Sequence, residues 1–450
     1  MKDECPAASA PKTFSIVTLG CKVNQCESES IAASLEKSGW TMADQTESAD
    51  VCIVNTCAVT HKAAMQSRQA IRHFRKAHPH ARIVATGCYA QTDPSALNRI
   101  TELDAVYDNV QKAYLPDILT CLSNGQTGDL PQKNQTGCEV NSLPLSMNSR
   151  TRPFIKIQDG CNAFCTYCIV PHARGRSRSL SPDRILEQIS HTDKAGYPEV
   201  VLTGIHIGQY GLDFDPPTSL TQLLHLIQNS EFHLRIRLSS IEPMELSDDI
   251  IDLATPSNLL CDHFHLPLQS GDNDILKRMH RPYDRDCFAD RVLAVHSRLP
   301  NAAIGTDIMA GFPGETDAAF EQTVELVDRL PLTYLHVFPF SPRKGTPAFQ
   351  YPETVPDGVV KERCRILRQL GMDKKTAFMK SQIGQVLHAV IETGRDTATG
   401  LLKGVTSNYI QIMISGDDCL QNTLVPVHLE RLGDGAYLIG KKTESASFFV

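Results

Sequence analysis

Three closely spaced cysteines are the feature that most limits what this chain can fold into. Cys161, Cys165 and Cys168 form a C-x3-C-x2-C pattern in the stretch GCNAFCTYCIVPHARGR. Three thiolates at this spacing can hold a [4Fe–4S] cluster and leave one iron without a protein ligand, where most such clusters have four cysteine ligands. An open iron can bind a small molecule. Zinc is the alternative, because His172 would complete a set of three cysteines and one histidine.

The cysteine content agrees with metal binding in a reducing compartment. The 450 residues include 15 cysteines, and no apolar run reaches the roughly 18 residues that a membrane span needs. The N-terminal stretch lacks the apolar segment of a signal peptide. We therefore expect a cytoplasmic protein without membrane contact, in which disulfides are rare. The net charge of −7 does not indicate RNA binding, so any RNA contact depends on local basic segments.

Apolar periodicity predicts an α/β fold class followed by a small all-β domain. Residues 11–120 alternate short β-branched runs with helical stretches, which is typical of a parallel sheet. Residues 121–146 are rich in Ser, Asn, Gln and Gly and predict a linker. Residues 147–376 repeat the alternation, as in a parallel barrel or partial barrel. Residues 377–445 predict a small five-stranded β-barrel. The predicted strands are 14–19, 51–54, 83–85, 199–203, 234–239, 263–266, 303–308, 334–338, 386–391, 409–414 and 423–428, and the predicted helices are 27–38, 60–77, 182–195, 272–279 and 316–330.

A second group of cysteines is defined by its position in the predicted fold. Cys21, Cys57 and Cys88 each follow one of the first three strands. The C-terminal ends of parallel strands lie along one edge of a sheet, where ligands bind, so we expect these thiols to converge. Gly20 and Gly87 would let the backbone turn closely around a cluster. The alternative is that they are small buried side chains, as we expect for Cys52 inside the second strand.

These motifs resemble the radical S-adenosylmethionine (SAM) methylthiotransferases from about residue 11 to 440. The C-x3-C-x2-C motif follows an apparent strand at 154–157 and has Tyr167 before its last cysteine, as in radical SAM enzymes. The stretches LGCKVNQCES, NTCAVT and GCYAQ resemble the N-terminal domain of methylthiotransferases. The resemblance implies two [4Fe–4S] clusters, one at each cysteine group. It also implies SAM cleavage to a 5′-deoxyadenosyl radical at one cluster and sulfur delivery from the other.

The resemblance further implies SAM-binding residues after the strands of the central domain. The segment TGIH is similar to the family's segment beside the methionine end of SAM, and SSIEP has polar groups suited to the ribose and the ammonium group. For His265, the alternative to SAM binding is a buried histidine whose hydrogen bonds are satisfied within the core. For Glu315, which follows Gly314, the alternative is a residue that only begins a helix. The candidate cofactor-binding residues are Gly204, His206, Ser240, Glu242, His265, Gly311 and Gly314.

Local basic residues are the candidates for RNA binding. Arg68, Arg72 and Arg75 lie at helical spacing on one face of a predicted helix, with Ile71 and Phe74 turned inward. Such a face can hold phosphates, and a solvated helix surface is the alternative.

Two further candidate RNA-binding regions lie outside the first domain. Arg174, Arg176 and Arg178 alternate after the cysteine motif, and an extended segment would place all three on one side. Residues 377–445 resemble the TRAM domain, a small β-barrel linked to RNA binding, where Tyr409 is a candidate for contact with bases.

The stretches LGCKVN and TGIHIGQYG resemble the branch of the family that acts on N6-threonylcarbamoyladenosine, 3′ of the anticodon in tRNA. The implied partners are tRNA, an electron donor such as a flavodoxin or ferredoxin, and a sulfur source. Methylthiolation of another modified adenosine or of a ribosomal-protein aspartate is an alternative with the same chemistry. A non-catalytic, metal-stabilised RNA-binding protein is an alternative of another class, and it predicts zinc rather than iron.

Overall fold

The fold is that of a computed structural model, which describes residues 12–43, 48–123, 150–254 and 259–443. These residues form two compact units. The first contains the described residues up to 123 together with Ile169–Gly175. The second contains the described residues from 150 onward without that segment. In the described part of the chain, no helix is both long and apolar enough to cross a membrane.

The first unit is a parallel five-stranded sheet with the strand order β2-β1-β3-β4-β5. Its central strand, β3, is buried along its whole length, as expected for a parallel strand covered on both faces. Cys52 and Ile53 lie in different apolar clusters, because successive residues of a strand point to opposite faces. The strands are β1 (Thr13–Thr18), β2 (Thr41–Met42), β3 (Val51–Thr56), β4 (Arg82–Gly87) and β5 (Ala105–Val106), and the helices are α1 (Lys22–Lys37), α2 (His61–Ala77), α3 (Cys88–Thr92), α4 (Pro94–Asn98), α5 (Leu115–Ser123) and α6 (Val170–Arg174).

Two boundaries in the first unit differ from those predicted. Helix α1 begins at Lys22 rather than near 27, because Cys21 has the extended conformation of an N-cap. The first residues of the predicted linker belong to α5, which ends at Ser123. The rest of the predicted linker, 124–146, lies outside the described residues. The helix predicted at 60–77 is confirmed, with the Thr60 side chain accepting a hydrogen bond from Ala63 N as N-cap.

The second unit begins with six parallel strands, followed or separated by helices. Strands β6, β9 and β10 form one sheet and β11, β12 and β13 another, and a parallel bridge between Ile236 and Leu260 joins β10 to the chain entering β11. This partial barrel confirms the predicted central fold. The strands are β6 (Phe154–Lys156), β7 (Gln158–Asp159), β8 (Arg178–Ser179), β9 (Glu199–Thr203), β10 (Arg235–Leu238), β11 (His263–His265), β12 (Ala303–Ala310) and β13 (Tyr334–Pro339), and the helices are α7 (Pro182–Lys194), α8 (Leu220–Gln228), α9 (Asp248–Asp252), α10 (Asn273–Arg278), α11 (Arg285–Arg298), α12 (Asp317–Arg329) and α13 (Asp357–Ser381).

A closed barrel of five strands ends the second unit, as predicted. Its strand order is β14-β15-β16-β18-β17, and it closes without a free edge. The predicted strand at 409–414 is shorter, because Tyr409 has a φ of +64° and lies in the turn before β16. The strands are β14 (Val386–Arg395), β15 (Leu402–Thr406), β16 (Gln411–Ile414), β17 (Leu424–Leu432) and β18 (Leu438–Lys442).

Buried arginines join this C-terminal barrel to the partial barrel. Glu199 is fully buried and pairs with Arg235 at 2.6 Å and with Arg237 at 2.8 Å. Arg237 also donates to the carbonyl oxygens of Thr406 and Ser407 at the end of β15. The two arginines therefore satisfy a buried carboxylate in one barrel and backbone acceptors in the other.

Candidate functional site

The cysteines that follow the first three long strands meet at the C-terminal edge of the sheet in the first unit. Thr56 of β3 pairs with Gly87 of β4, so Cys57 and Cys88 follow paired positions. Cys21 precedes α1 as its N-cap. Gly20, the residue before Cys21, lies against the Cys57 side chain, so the three cysteines share one edge of the sheet.

The Cys57 thiol is buried beside two other predicted ligands. Burial raises its pKa to about 11, and repulsion from Cys88 and Cys21 adds to this, while a backbone hydrogen bond from Val59 and the charge of Arg174 oppose it. Such a thiol keeps its proton at neutral pH unless a metal takes the proton's place. Three cysteines at one edge of the sheet are therefore a donor set that fits an iron–sulfur cluster.

Gly20 leaves space beside this group of thiols. Its φ of +100° is a conformation that side chains rarely adopt. A Cβ atom added at Gly20 would lie only 2.8 Å from the Cys57 sulfur. The space that a [4Fe–4S] cluster would need next to this sulfur is thus kept open by the missing side chain.

A polar network supports the same edge of the sheet. The Asn24 amide donates to the carbonyl oxygens of Leu19 and Thr56, which ties the chain after β1 to the end of β3. Arg174 donates to Asn24 and to Glu27. Sequence reasoning missed Asn24, since a single Asn in the first turn of a helix carries no distinctive signal.

Arg174 corrects one prediction for RNA binding. It lies at the end of α6 rather than on an extended segment, and its side chain is only 2% exposed. Its pairing with Glu27 and Asn24 leaves it unavailable to phosphate. Arg176 and Arg178 are exposed, whereas Arg174 is buried, so the alternation does not expose all three arginines.

The arginines of α2 differ in how far they are engaged. Arg75 pairs with Asp104 at 2.7 Å and donates to the carbonyl oxygens of Pro79 and Ala81, so it braces neighbouring loops. Arg68 donates to the Tyr89 hydroxyl. Arg72 remains 59% exposed, with Glu102 at 3.8 Å. The inward packing predicted for Ile71 and Phe74 is confirmed.

The C-x3-C-x2-C cysteines lie in the loop that follows β7, in the second unit. Cys161 Sγ is 3.4 Å from His206 Nδ1, and Cys165 Sγ accepts a hydrogen bond of 3.2 Å from Arg281. Phe164 adopts a φ of +47°, which bends the chain sharply between these two ligands. Tyr167 packs against Phe312 in an apolar cluster that closes one side of the loop.

The fit of this second site rests on its donor chemistry. Three thiols are gathered on one short loop, and a histidine and an arginine already direct hydrogen-bonding groups at two of them. Outer groups of this kind orient ligands and balance their negative charge. His172, the fourth ligand of the zinc alternative, is exposed on α6.

The predicted SAM-binding residues differ in what surrounds them. His206 is buried, with Nε2 at 2.8 Å from Glu245. Burial lowers its pKa, but the contacts with Cys161 and Glu245 outweigh burial and raise the pKa to about 10. Glu242 pairs with Arg281, the residue that donates to Cys165. Ser240 is exposed at the C-terminal end of β10. These residues therefore stand next to the cysteine loop or at the same ends of the strands.

The glycines predicted to bind SAM lie where neighbouring atoms leave little room for a side chain. Gly311 and Gly314 have positive φ values of +82° and +86°. A Cβ at Gly204 would lie 2.9 Å from Ile207, and one at Gly311 would lie 2.4 Å from Val360. Glu315 is more than a helix start, because it is buried, accepts from Gly311 N and pairs with Arg363.

Tyr409 and His265 belong to one group of neighbouring aromatic side chains in the second unit. Tyr409 stacks on His263 with centroids 4.3 Å apart and contacts Arg237 at 5.2 Å. Tyr409 is nevertheless 39% exposed, so its contact with bases remains a prediction. His265 is buried and bonds through Nε2 to Asp307 and through Nδ1 to the Tyr334 hydroxyl.

The partial barrel and its cysteine loop define a radical SAM protein. Residues 155–327 match the Radical SAM superfamily, and residues 13–108 match the family described as Uncharacterized protein family UPF0004. A solved structure with a similar fold is the radical SAM methyltransferase TsrM from Kitasatospora setae with cobalamin and a [4Fe–4S] cluster bound. Its TM-score is 0.56 at 15% identity, over 75% of this chain and 77% of that chain.

Proteins of similar sequence indicate which family of radical SAM proteins the chain belongs to. The threonylcarbamoyladenosine tRNA methylthiotransferase MtaB of Rickettsia prowazekii is 39% identical over 84% of this chain and 87% of its own length. The tRNA-2-methylthio-N(6)-dimethylallyladenosine synthase of Pelotomaculum thermopropionicum is 33% identical over 92% of this chain and 94% of its own length. This chain belongs to the radical SAM methylthiotransferase family. As a radical SAM enzyme, it uses SAM and a [4Fe–4S] cluster.

Proposed function

We propose that this chain is a tRNA methylthiotransferase that converts N6-threonylcarbamoyladenosine, 3′ of the anticodon, to its 2-methylthio derivative. The observation that carries the proposal is the convergence of Cys21, Cys57 and Cys88 beside Gly20. Conversion of a C–H to a C–S bond needs a sulfur source in addition to a radical, and a second cluster meets that need. The printed name of the 39% identical relative supports the choice of base.

The two cysteine groups have separate roles in this proposal. When bound, the cluster at Cys161, Cys165 and Cys168 supplies the electron that cleaves SAM, and a cluster at the other group supplies sulfur. The side chains around each group hold and orient the thiolates. Three cysteines for each cluster would leave one iron free for SAM or for sulfur.

Arg281 and His206 stabilise the ligands of the radical SAM cluster. Arg281 donates to Cys165 Sγ while Glu242 pairs with the same guanidinium, so its orientation is fixed from two sides. His206 has one ring nitrogen at Cys161 Sγ and the other at Glu245, which fixes the plane of the ring. Both contacts place positive or hydrogen-bond-donating groups next to thiolates and so lower the cost of their charge.

The group formed by Cys21, Cys57 and Cys88 is accessible to solvent on one side. Cys57 and Cys88 are buried, whereas Cys21 is exposed. We propose that sulfur enters from the side of Cys21, because a sulfur source must reach the cluster from solvent. The partners in this proposal are tRNA, a sulfur source and an electron donor such as a flavodoxin or ferredoxin, in the cytoplasm, with the C-terminal barrel acting as a TRAM domain.

The substrate is tested by mass spectrometry of tRNA nucleosides from a deletion strain. We expect 2-methylthio-N6-threonylcarbamoyladenosine to disappear and the unthiolated base to accumulate, and plasmid-borne wild type to restore the product. An unchanged level of the methylthio base would overturn the proposal.

The name of the 33% identical relative favours a second candidate substrate, N6-dimethylallyladenosine. Loss of the methylthio form of that base in the same strain would identify it instead. Anaerobic reconstitution with iron and sulfide distinguishes both enzymes from a zinc-stabilised RNA-binding protein, which would not cleave SAM under reduction.

A further inference from the structure

Three aromatic side chains of β13 face the interior of the partial barrel. Tyr334, His336 and Phe338 alternate along the strand, so they share one face. On the other face, Leu335 packs against Gly371 of α13, which covers the outside of the sheet. His336 is 53% exposed and Phe338 is 45% exposed, so this part of the interior wall is accessible.

A histidine–carboxylate cluster lies on this wall. His336 Nδ1 is 3.2 Å from Asp307 Oδ1, and His265 Nε2 is 3.0 Å from the same oxygen. The three residues come from β13, β12 and β11, which are neighbours in one sheet. Burial raises the pKa of Asp307, but hydrogen bonds from the two histidines outweigh it and hold the pKa below its usual range. Asp307 is therefore an ionised acceptor at neutral pH.

A chain of hydrogen bonds fixes this cluster from behind. His263 Nε2 lies 2.8 Å from the Tyr334 hydroxyl, which lies 3.0 Å from His265 Nδ1. One set of proton positions satisfies the chain, with His263 donating to Tyr334, Tyr334 to His265, and His265 to Asp307. A Cβ at Gly305 would lie 2.0 Å from the Tyr334 ring, so a glycine on β12 is needed to seat that ring.

The His336 ring keeps one nitrogen for a ligand. Asp307 occupies Nδ1 of His336, so Nε2 is the ring nitrogen that a bound molecule can reach. An N–H on Nε2 would suit an anionic oxygen. Phe338 lies edge-on to His336 with centroids 6.4 Å apart and offers an apolar ring beside this donor.

We propose that His336, positioned by Asp307, binds the carboxylate of the threonylcarbamoyl group while Phe338 contacts the base. This inference rests on the proposed function and names the residues that recognise its substrate. The dimethylallyl group has neither charge nor hydrogen-bonding atoms, so the same cluster offers it no matching contact. A site built to bind a polar group rejects an apolar analogue because its own polar atoms stay unpaired.

The test uses the reconstituted full chain with anticodon stem-loops that carry either modified adenosine. We expect His336→Phe to raise KM for the threonylcarbamoyl stem-loop by about 10- to 100-fold, the effect of losing a charged hydrogen bond, with a smaller change in kcat. His336→Gln, which keeps a donor, should retain most of the affinity. Asp307→Asn should have an intermediate effect, because it leaves His336 in place but less well oriented.

His296→Phe is the matched control, since His296 is an exposed histidine on α11, outside the wall. Iron content and melting temperature show whether each variant is folded. An unchanged KM in His336→Phe overturns the inference. A bound metal would also overturn it. The ligand atoms of His265, Asp307 and His336 lie within 4.8 Å of one another and could form a metal site. That site would be identified if wild type retained one equivalent of zinc or another divalent metal and His336→Phe lost it.

The wild-type chain tests the proposed function separately. If it methylthiolates the threonylcarbamoyl stem-loop but His336→Phe binds that stem-loop as well as wild type does, only this inference fails. If it modifies the dimethylallyl stem-loop instead, the proposed function fails, and the carboxylate assigned to His336 fails with it.

Discussion

At the scale of single residues, a cysteine inside β3 and a cysteine just after β3 have different environments. Cys52 lies inside β3 with no exposed surface, and burial raises the pKa of its thiol to about 12. Cys57 follows the end of the same strand, where Gly20 and two other cysteines surround it. Cys26, five residues after Cys21, is buried on α1. A position at the end of a strand therefore distinguishes a candidate ligand from a core thiol.

Replacing Gly20 by Ala should remove iron from the N-terminal group alone. The new Cβ would lie 2.8 Å from the Cys57 sulfur and displace it. Iron should fall from about eight to about four atoms per chain, as expected for the loss of one of two four-iron clusters. The control is Gly39→Ala, because Gly39 has a φ of +86° and no atom within 4 Å of the added Cβ. Equal iron in both variants would show that Gly20 is not needed for the site.

At the scale of secondary-structure elements, the start of β9 and β10 carries the connection to the C-terminal barrel. Glu199 is the first residue of β9, and Arg235 is the first of β10. Arg235 donates to the carbonyl oxygens of His388 in β14 and Val405 in β15. Loss of the carboxylate would leave buried guanidinium groups without a counter-charge.

We expect Glu199→Gln to destabilise the chain by about 3–5 kcal/mol, the cost of removing one partner from a buried ion pair. Chemical denaturation measures the loss. The matched control is Glu187→Gln, since Glu187 and its partner Arg184 have side chains about 60% exposed. An exposed pair of this kind contributes about 0–1 kcal/mol. Similar losses in both variants would contradict a role for Glu199 in joining the barrels.

The same carboxylate predicts a pH dependence. Although burial raises the pKa of Glu199, its arginine partners outweigh burial and hold the pKa well below the ordinary value of 4.5. A depressed pKa in the folded state stabilises the fold above the unfolded value, and this contribution is lost as the pH falls toward the folded value. The stability difference between wild type and Glu199→Gln should therefore be full above pH 4.5 and shrink below it. Unfolding measured at pH 7 and at several acidic values provides the check.

At the scale of the whole molecule, the two cysteine groups belong to separate compact units. Each unit has its own parallel strands and apolar core, and each gathers its cysteines in segments that follow strands. Ligand sites at the C-terminal ends of parallel strands are general to such folds. The two groups should therefore load independently.

Replacing Cys21, Cys57 and Cys88 together by Ala should leave about four irons per chain and reductive SAM cleavage, but no methylthiolated product. The same change at the C-x3-C-x2-C motif should abolish SAM cleavage and keep the other irons. Alanines at Cys121, Cys287 and Cys419 provide a control with the same number of lost thiols, none of them in either group. Loss of all iron in either triple variant would contradict independent loading.

The sequence by itself determined the fold class and both candidate cysteine groups, because these depend on local signals. Strand and helix periodicity places Cys21, Cys57 and Cys88 after three strands. The short C-x3-C-x2-C spacing of the other group is visible in the sequence without any tertiary contact. Arg174 could not be judged in this way, because the Glu27 that pairs with it lies 147 residues away. The grouping of His265, Asp307 and His336 depends on the register of three strands, and periodicity along one strand does not set the register between strands.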